Sequence, residues 1–244
     1  MMILQNNRED ARMIVHQNRR LTRKDVNCKM NYKIAEILSY FIGLAAVIGL
    51  VRIRRIDRAY HPFIILMWAG LLNEIVNTIV IEAGYSNAIN DNIYSFVEFT
   101  LIVIFLYRTR LILSKRSMLF MLAVNAAAWG IINFLIFSIN RFSSYYNIGY
   151  SLVTVLLSIN IINQLIIHSK SRLIKNPLFL ISIAFILLFT YKSLIEIFWI
   201  YGLNSSKSFR IEVYRIMTYI NLVVNLLFVT AVLWMPKKRE FTWL

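Results

Sequence analysis

Seven long apolar segments, separated by loops that alternate between basic and nearly uncharged, constrain this chain more than any other feature. The segments lie at about 34–52, 63–84, 93–107, 118–139, 148–168, 177–200 and 213–235. Most are close to 20 residues long, the length that an α-helix needs to cross about 30 Å of hydrocarbon. The sequence therefore predicts an all-α polytopic membrane protein, with one bundle of seven transmembrane helices over residues 34–235.

The charges of the loops predict the orientation of this bundle. Fourteen basic residues follow the odd-numbered segments: Arg52, Arg54, Arg55, Arg58, Arg108, Arg110, Lys115, Arg116, Lys170, Arg172, Lys175, Lys237, Lys238 and Arg239. Only three, Arg141, Lys207 and Arg210, lie in the other loops. Because short loops rich in Lys and Arg stay in the cytoplasm, we expect the N-terminus outside and the C-terminus inside.

This orientation also predicts location and partners. We expect a multi-pass protein of the bacterial inner membrane, with residues 236–244 as a short basic cytoplasmic tail. The formal net charge of +15 is then explained by contact with an anionic lipid leaflet. We therefore expect the lipid bilayer to be the partner of this chain, and we do not expect it to bind nucleic acid.

The first 33 residues disagree with the predicted orientation. They carry eight basic residues and three acidic ones, and such charge resists translocation across a membrane. One interpretation is that the true start is Met30, which leads directly into the first span. The other is that residues 1–33 form a disordered or surface-lying cytoplasmic arm and that one apolar segment does not span. We favour the first. If the chain does begin at Met1, we expect residues 1–33 to form a disordered basic N-terminal tail.

Polar residues inside the apolar segments predict a site. An ionisable side chain at membrane depth costs about 2.5–3.5 kcal/mol on insertion scales, so such residues face the bundle interior. Spacings of three and four residues place those of each segment on one helix face. With the orientation above, they converge on the outer half of the bundle. We expect a polar, acid-rich chamber lined by Asn73, Glu74, Asn77, Tyr94, Glu98, Lys192, Glu196 and Asn221.

These residues leave three functions open. A chamber with more carboxylates than cations favours a small cationic or zwitterionic extracytoplasmic ligand, or a proton, and the first hypothesis is a binding or sensing module read by a cytoplasmic partner protein. The second is a transporter or channel for a small cation or zwitterion. The third is an intramembrane lipid-modifying enzyme with Glu74 or Glu98 as general acid or base, which is less favoured because only Lys192 could assist it. A structural alternative is that Lys192 and Glu196 merely pair along their own helix.

Several chemistries lack the residues they need. The single cysteine, Cys28, excludes an internal disulfide and a multi-cysteine metal site. The three histidines, His16, His61 and His168, have no zinc-binding spacing within a segment, so an intramembrane zinc hydrolase is not expected. We predict no metal, no cofactor and no catalytic residue.

Short motifs in the second and third segments resemble a pattern in small seven-helix membrane proteins of Bacteroidota. The motifs are Leu72-Asn73-Glu74-Ile75, Asn92-Ile93-Tyr94 and Glu98-Phe99. The resemblance covers these two segments and the overall size, and the basic tail before Met30 departs from it. Those proteins are mostly uncharacterised, so the resemblance implies a seven-helix fold and no reaction.

Overall fold

The computed structural model describes residues 38, 40–168, 173–201 and 207–236, and in these ranges the chain forms helices joined by short turns and loops, with no β-strand. The predicted tail 1–33, the proposed start at Met30 and residues 237–244 lie outside the described residues. Within the described ranges the α-helices are α1 (Ile42–Arg52), α2 (His61–Glu82), α3 (Ala88–Arg108), α4 (Lys115–Gly130), α5 (Ser144–His168), α6 (Pro177–Ile200) and α7 (Lys207–Trp234). A π-helical turn, Ile131–Ile136, extends α4, and 3₁₀ turns at Arg58–Tyr60 and Leu173–Lys175 precede α2 and α6.

Six of the described helices, α2 to α7, are long and apolar enough to cross a membrane. This confirms the predicted all-α class and is what a multi-pass membrane protein requires. The described part of the predicted first span, α1, has 11 residues, and most of that span before Ile42 lies outside the described residues. The orientation of the helices relative to the cytoplasm stays a prediction.

Helix starts and ends follow from local sequence. Pro62 and Pro177 stand in the first turns of α2 and α6, where a missing N–H costs no hydrogen bond. The Asn176 side chain caps α6 by accepting the backbone N–H of Leu178 at 2.9 Å. After α3, Arg110 takes a left-handed φ of 58°, which ends the helix before the apolar residues that follow it.

Three helices begin well before their predicted starts. Helix α3 begins at Ala88 rather than near residue 93, α5 at Ser144 rather than near residue 148, and α7 at Lys207 rather than near residue 213. The added turns are polar, so they fall outside the apolar segments from which the helix starts were predicted. Their side chains nevertheless include buried ones, such as Asn92 and Asn147, because these turns face the interior of the bundle.

The helices form a ring in chain order. Each packs against the next, and α7 returns to pack against α1. The most extensive contact joins α5 to α6. Helix α4 is peripheral, and only 11% of its most apolar stretch of 18 residues is buried. Because α4 is peripheral, α3 also touches α5 directly. Many large apolar side chains on the outside of the ring are exposed, as expected where lipid is the solvent.

Hydrogen bonds gather basic residues at one end of the ring, which we call the basic end. Arg52, at the end of α1, donates to the carbonyls of Val232 and Leu233 at 2.6 and 2.7 Å and so caps α7. Arg108, at the end of α3, donates to the carbonyl of Arg58 at 3.2 Å. We call the opposite end, where α2 ends and α3 begins, the far end.

Five buried phenylalanines fill the middle of the ring toward the basic end, and we call them the aromatic layer. Phe63 on α2 lies 5.5 Å from Phe105, 6.3 Å from Phe185 and 5.2 Å from Phe228, measured between ring centroids. Phe185 in turn lies 5.8 Å from Phe189. Tilted and edge-to-face pairs of this kind are favourable, so four helices are joined here through apolar contacts alone.

Removing the central ring of the aromatic layer tests this packing. We expect Phe63→Ala to lower the free energy of unfolding by about 3 kcal/mol, because the neighbouring rings cannot fill the space. SDS-induced unfolding in mixed micelles measures the change. The matched control is Phe120→Ala on α4, whose ring is 70% exposed and should change stability little. Equal effects of the two substitutions would contradict the assigned packing.

Candidate functional site

A cavity of about 170 Å³ lies between the aromatic layer and the far end. All the helices named above except α4 contribute to its wall, and Phe228 of the aromatic layer closes it on one side. The polar residues of the wall are Asn73, Glu74, Asp91, Tyr94, Ser95, Glu98, Asn147, Lys192, Glu196, Asn221 and Asn225. Four of these are carboxylates and one is an ammonium, so the wall is acid-rich.

Most of the residues predicted from sequence are brought together here. Asn73, Glu74, Tyr94, Glu98, Lys192, Glu196 and Asn221 line the cavity. Asn77 lies behind the wall, fully buried, and donates from its amide to the Asp91 carboxylate at 2.9 Å. The geometry brings these side chains to one place; that they bind a ligand stays a prediction.

Glu98 is buried and is the centre of a cluster that joins three helices. Its Oε1 accepts the Tyr94 hydroxyl at 3.0 Å, and its Oε2 accepts the Tyr150 hydroxyl at 2.6 Å and the Lys192 ammonium at 2.9 Å. Lys192 also donates to the Tyr150 hydroxyl. We call these four residues the Glu98 cluster. It ties α3, α5 and α6 together and neutralises one carboxylate with the lysine.

Lys192 is held over aromatic faces as well. Its Nζ lies 5.0 Å from the centroid of the Tyr150 ring and 5.8 Å from that of Phe189. Ring faces attract cations, and this attraction grows when the cation is removed from water. The ammonium therefore sits where the Glu98 cluster meets the aromatic layer.

Glu196 is held differently from Glu98. Its Oε1 accepts the side-chain amide of Asn147 on α5 at 2.9 Å, and its buried Oε2 has no hydrogen-bond partner among the described residues. The Lys192 ammonium is directed instead at Glu98, so the alternative in which Lys192 only pairs along α6 with Glu196 does not describe this arrangement. Two carboxylates of one wall thus differ sharply in how far their charge is satisfied.

Side-chain amides hold the wall together near the far end. Asp91 accepts the amide of Asn77 at 2.9 Å and that of Asn87 at 3.1 Å. Asn90 donates to the side-chain oxygens of Asn73 and Asn77 at 2.7 and 2.8 Å. These bonds fasten α2 to α3 with neutral donors, which satisfy the Asp91 oxygens without cancelling their negative charge.

Sequence reasoning missed five residues of this region: Asp91, Ser95, Asn147, Tyr150 and Asn225. Asp91 and Asn147 were left out because α3 and α5 begin earlier than predicted. A signal was present in α3, where Asp91 precedes Ser95 and Glu98 by four and seven residues and all three share one helix face. In α5, Asn147 and Tyr150 are three residues apart and form a similar stripe.

Comparisons with known proteins do not identify the site. Comparisons with protein family models, with curated proteins and with solved structures find no match to this chain. Within the described residues, no group of three or more His, Cys, Asp or Glu side chains is arranged to hold a metal ion. Function is therefore inferred from the cavity itself.

The Glu98–Lys192 pair is tested by a double-mutant cycle. Glu98→Gln and Lys192→Met should each destabilise the protein, because each leaves the other charge buried without its partner. The double variant should be more stable than the sum of the two losses implies, by about 2 kcal/mol. SDS-induced unfolding measures all four proteins, with Lys175→Met at the exposed 3₁₀ turn as a control for loss of a lysine. Additive effects would show that the two charges do not interact.

Proposed function

We propose that this protein is a binding or sensing module of the bacterial inner membrane that takes a small cationic or zwitterionic ligand, or a proton, into its cavity. The observation that carries the proposal is the charge of the wall. Glu74, Asp91, Glu98 and Glu196 line the cavity together with the single ammonium of Lys192, which already pairs with Glu98. These four carboxylates are buried or half-buried. A net negative wall of this kind attracts positive charge more strongly than an exposed surface does, because the local dielectric constant is lower.

Cavity size limits the ligand. An engineered protein cavity of about 150 Å³ binds benzene, so the present volume of about 170 Å³ suits a molecule of about six to eight non-hydrogen atoms. An ammonium group would meet carboxylates and the Tyr94 hydroxyl. In a zwitterion, the negative group would have Lys192 and the amides of Asn221 and Asn225 within the same wall. A small amine or a small amino acid is therefore the class of ligand that fits best.

Transport is supported less well than binding. A transporter needs a polar route to both sides, and here the aromatic layer lies between the cavity and the basic end. Several hydroxyls in the basic half are occupied by their own helices: Ser158 and Ser182 donate to the carbonyls of Thr154 and Leu178, both at 2.8 Å. These groups offer no continuous path for a polar solute.

Lipid-modifying catalysis is the remaining alternative. A general acid or base acts best when its proton is available to the substrate. Tyr150 and Lys192 both bond to the same oxygen of Glu98, so three candidate groups are occupied with one another. This favours a structural or switching role for the Glu98 cluster over a catalytic one.

Sensing requires that binding changes how the helices pack. A cation that enters near Glu98 would compete with Lys192 for the same carboxylate, and Lys192 is part of α6. Weakening that pair would loosen the tie between α3, α5 and α6. Because α5 and α6 run from the cavity to the basic end, a shift there would reach the loops that we expect in the cytoplasm and any partner protein bound to them. A ligand moves such an equilibrium only by its difference in affinity for the two arrangements.

Thermal stability of the purified protein in lipid nanodiscs tests cation binding. We expect methylammonium, ethanolamine and glycine to raise the melting temperature, whereas ethanol and acetate at the same concentrations should not. Ligand present at 100 times its Kd adds about 2.7 kcal/mol of stability. In Glu74→Gln the stabilisation should be lost while the protein stays folded, because one charge of the wall is removed.

The control is Glu82→Gln at the exposed end of the same helix, which should keep the full response. If Glu74→Gln responds as the unchanged protein does, Glu74 has only a structural role. If neither cations nor a fall in pH changes the melting temperature, the cavity is not a cation or proton site and the proposal is wrong.

A further inference from the structure

Four buried oxygen atoms on α5 and α6 have no hydrogen-bond partner among the described residues. They are Asn147 Oδ1, Ser151 Oγ, Ser193 Oγ and Glu196 Oε2. All four side chains are more than nine-tenths buried, with exposures of 6%, 0%, 4% and 6% in that order. Buried polar atoms are almost always satisfied, so four orphans on two neighbouring helices require an explanation.

Helix geometry places these atoms together. The Asn147 amide bonds to Glu196 at 2.9 Å, which fixes those two residues opposite each other. Ser151 lies one turn farther along α5, and Ser193 lies one turn back along α6. Because α5 and α6 are consecutive, closely packed helices that run in opposite directions, both serines lie on the same side of the Asn147–Glu196 contact. The helix register thus puts the four atoms at two adjacent levels of the α5–α6 contact.

The orientation of the Asn147 amide is set by its partner. Its nitrogen donates to the Glu196 carboxylate, since a carboxylate can only accept. The amide oxygen is therefore turned away from Oε1 of Glu196, and it is left as an acceptor without a donor. A neighbouring cation would satisfy both this oxygen and the Glu196 Oε2 at once, whereas neither can satisfy the other.

These four oxygen atoms suit a hard monovalent cation as ligand atoms. All four atoms are oxygens, which suit hard cations, and only one belongs to a charged group. Ca²⁺ and Mg²⁺ sites usually draw on more carboxylate charge and more ligands than this. One carboxylate balances one positive charge, and neutral amide and hydroxyl oxygens complete the shell. Asn147 and Glu196 also line the cavity, so an ion has a path of entry.

We propose that Asn147, Ser151, Ser193 and Glu196 form a Na⁺ site between α5 and α6, at the edge of the cavity. A bound ion would hold the two helices together beside the Glu98 cluster and would set the packing from which the organic ligand is recognised. This inference extends the proposed function. It rests on the proposed function only in assuming that the cavity admits small cations. Its test uses no organic ligand.

The full chain in nanodiscs, held at constant pH and ionic strength, provides the test. Na⁺ replaces N-methylglucamine, a cation too large for the cavity, and the melting temperature and ²²Na⁺ binding are followed. We expect a saturable rise in melting temperature and one ²²Na⁺ bound per chain. K⁺ should act at least tenfold more weakly.

Two matched pairs of variants locate the site. Glu196→Gln and the double variant Ser151→Ala/Ser193→Ala should weaken Na⁺ binding at least tenfold. Ser158→Ala/Ser182→Ala serves as control for the double variant, because these buried serines lie on the same two helices and already donate to backbone carbonyls at 2.8 Å. Glu82→Gln serves as control for Glu196→Gln. Both controls should bind Na⁺ as the unchanged protein does.

Three outcomes would overturn the inference. The first is no difference between Na⁺ and N-methylglucamine, which would mean that water fills the cluster. The second is a response to pH without a response to Na⁺, which would mean that Glu196 carries a proton. The third is Na⁺ binding that survives both Glu196→Gln and the double serine variant. Each of these leaves stabilisation by methylammonium or ethanolamine unaffected, so failure here is distinguishable from failure of the proposed function.

Discussion

The ion pair between buried Glu98 and half-buried Lys192 is the interaction on which the rest of this bundle depends. Charges at membrane depth are costly unless they meet each other or polar partners. Here one carboxylate collects an ammonium and two tyrosine hydroxyls, and in doing so it joins α3, α5 and α6. The pair fixes how these helices are rotated, and that rotation decides which other side chains face the cavity.

The interior of the bundle is divided into two unlike halves. Toward the basic end, the aromatic layer packs phenylalanines from four helices against one another. Toward the far end, amides and carboxylates surround a cavity of about 170 Å³. Lys192 lies at the boundary between the two halves. Its ammonium bonds to the Glu98 carboxylate and lies near the rings of Tyr150 and Phe189. A ligand entering the polar half would therefore act on the Lys192 ammonium, which contacts both the polar half and the aromatic layer.

Much of this arrangement is predictable from sequence because a bilayer imposes a simple rule. Long apolar windows predicted six of the described helices, and polar side chains inside such windows predicted most of the polar residues of the cavity wall. The hydrogen-bond and ion-pair partners of each side chain were harder to predict, because they depend on how each helix is rotated. By spacing alone, Lys192 could have paired with Glu196. The helix starts were missed for the opposite reason. Asp91 and Asn147 lie in polar turns that look like loops in a hydropathy profile, yet they face inward.

We propose that the acid-rich cavity is open to small cations from the extracytoplasmic side. Cysteine labelling tests it most directly. Asn221, in the wall on α7, is changed to Cys in a Cys28→Ser background, and intact cells are treated with membrane-impermeant methanethiosulfonate reagents of opposite charge. We expect the cationic reagent to label this position at least about tenfold faster than the anionic one, after each rate is divided by that reagent's rate with a free thiol in solution. Equal rates, faster labelling by the anionic reagent, or labelling only after the cells are opened would contradict it.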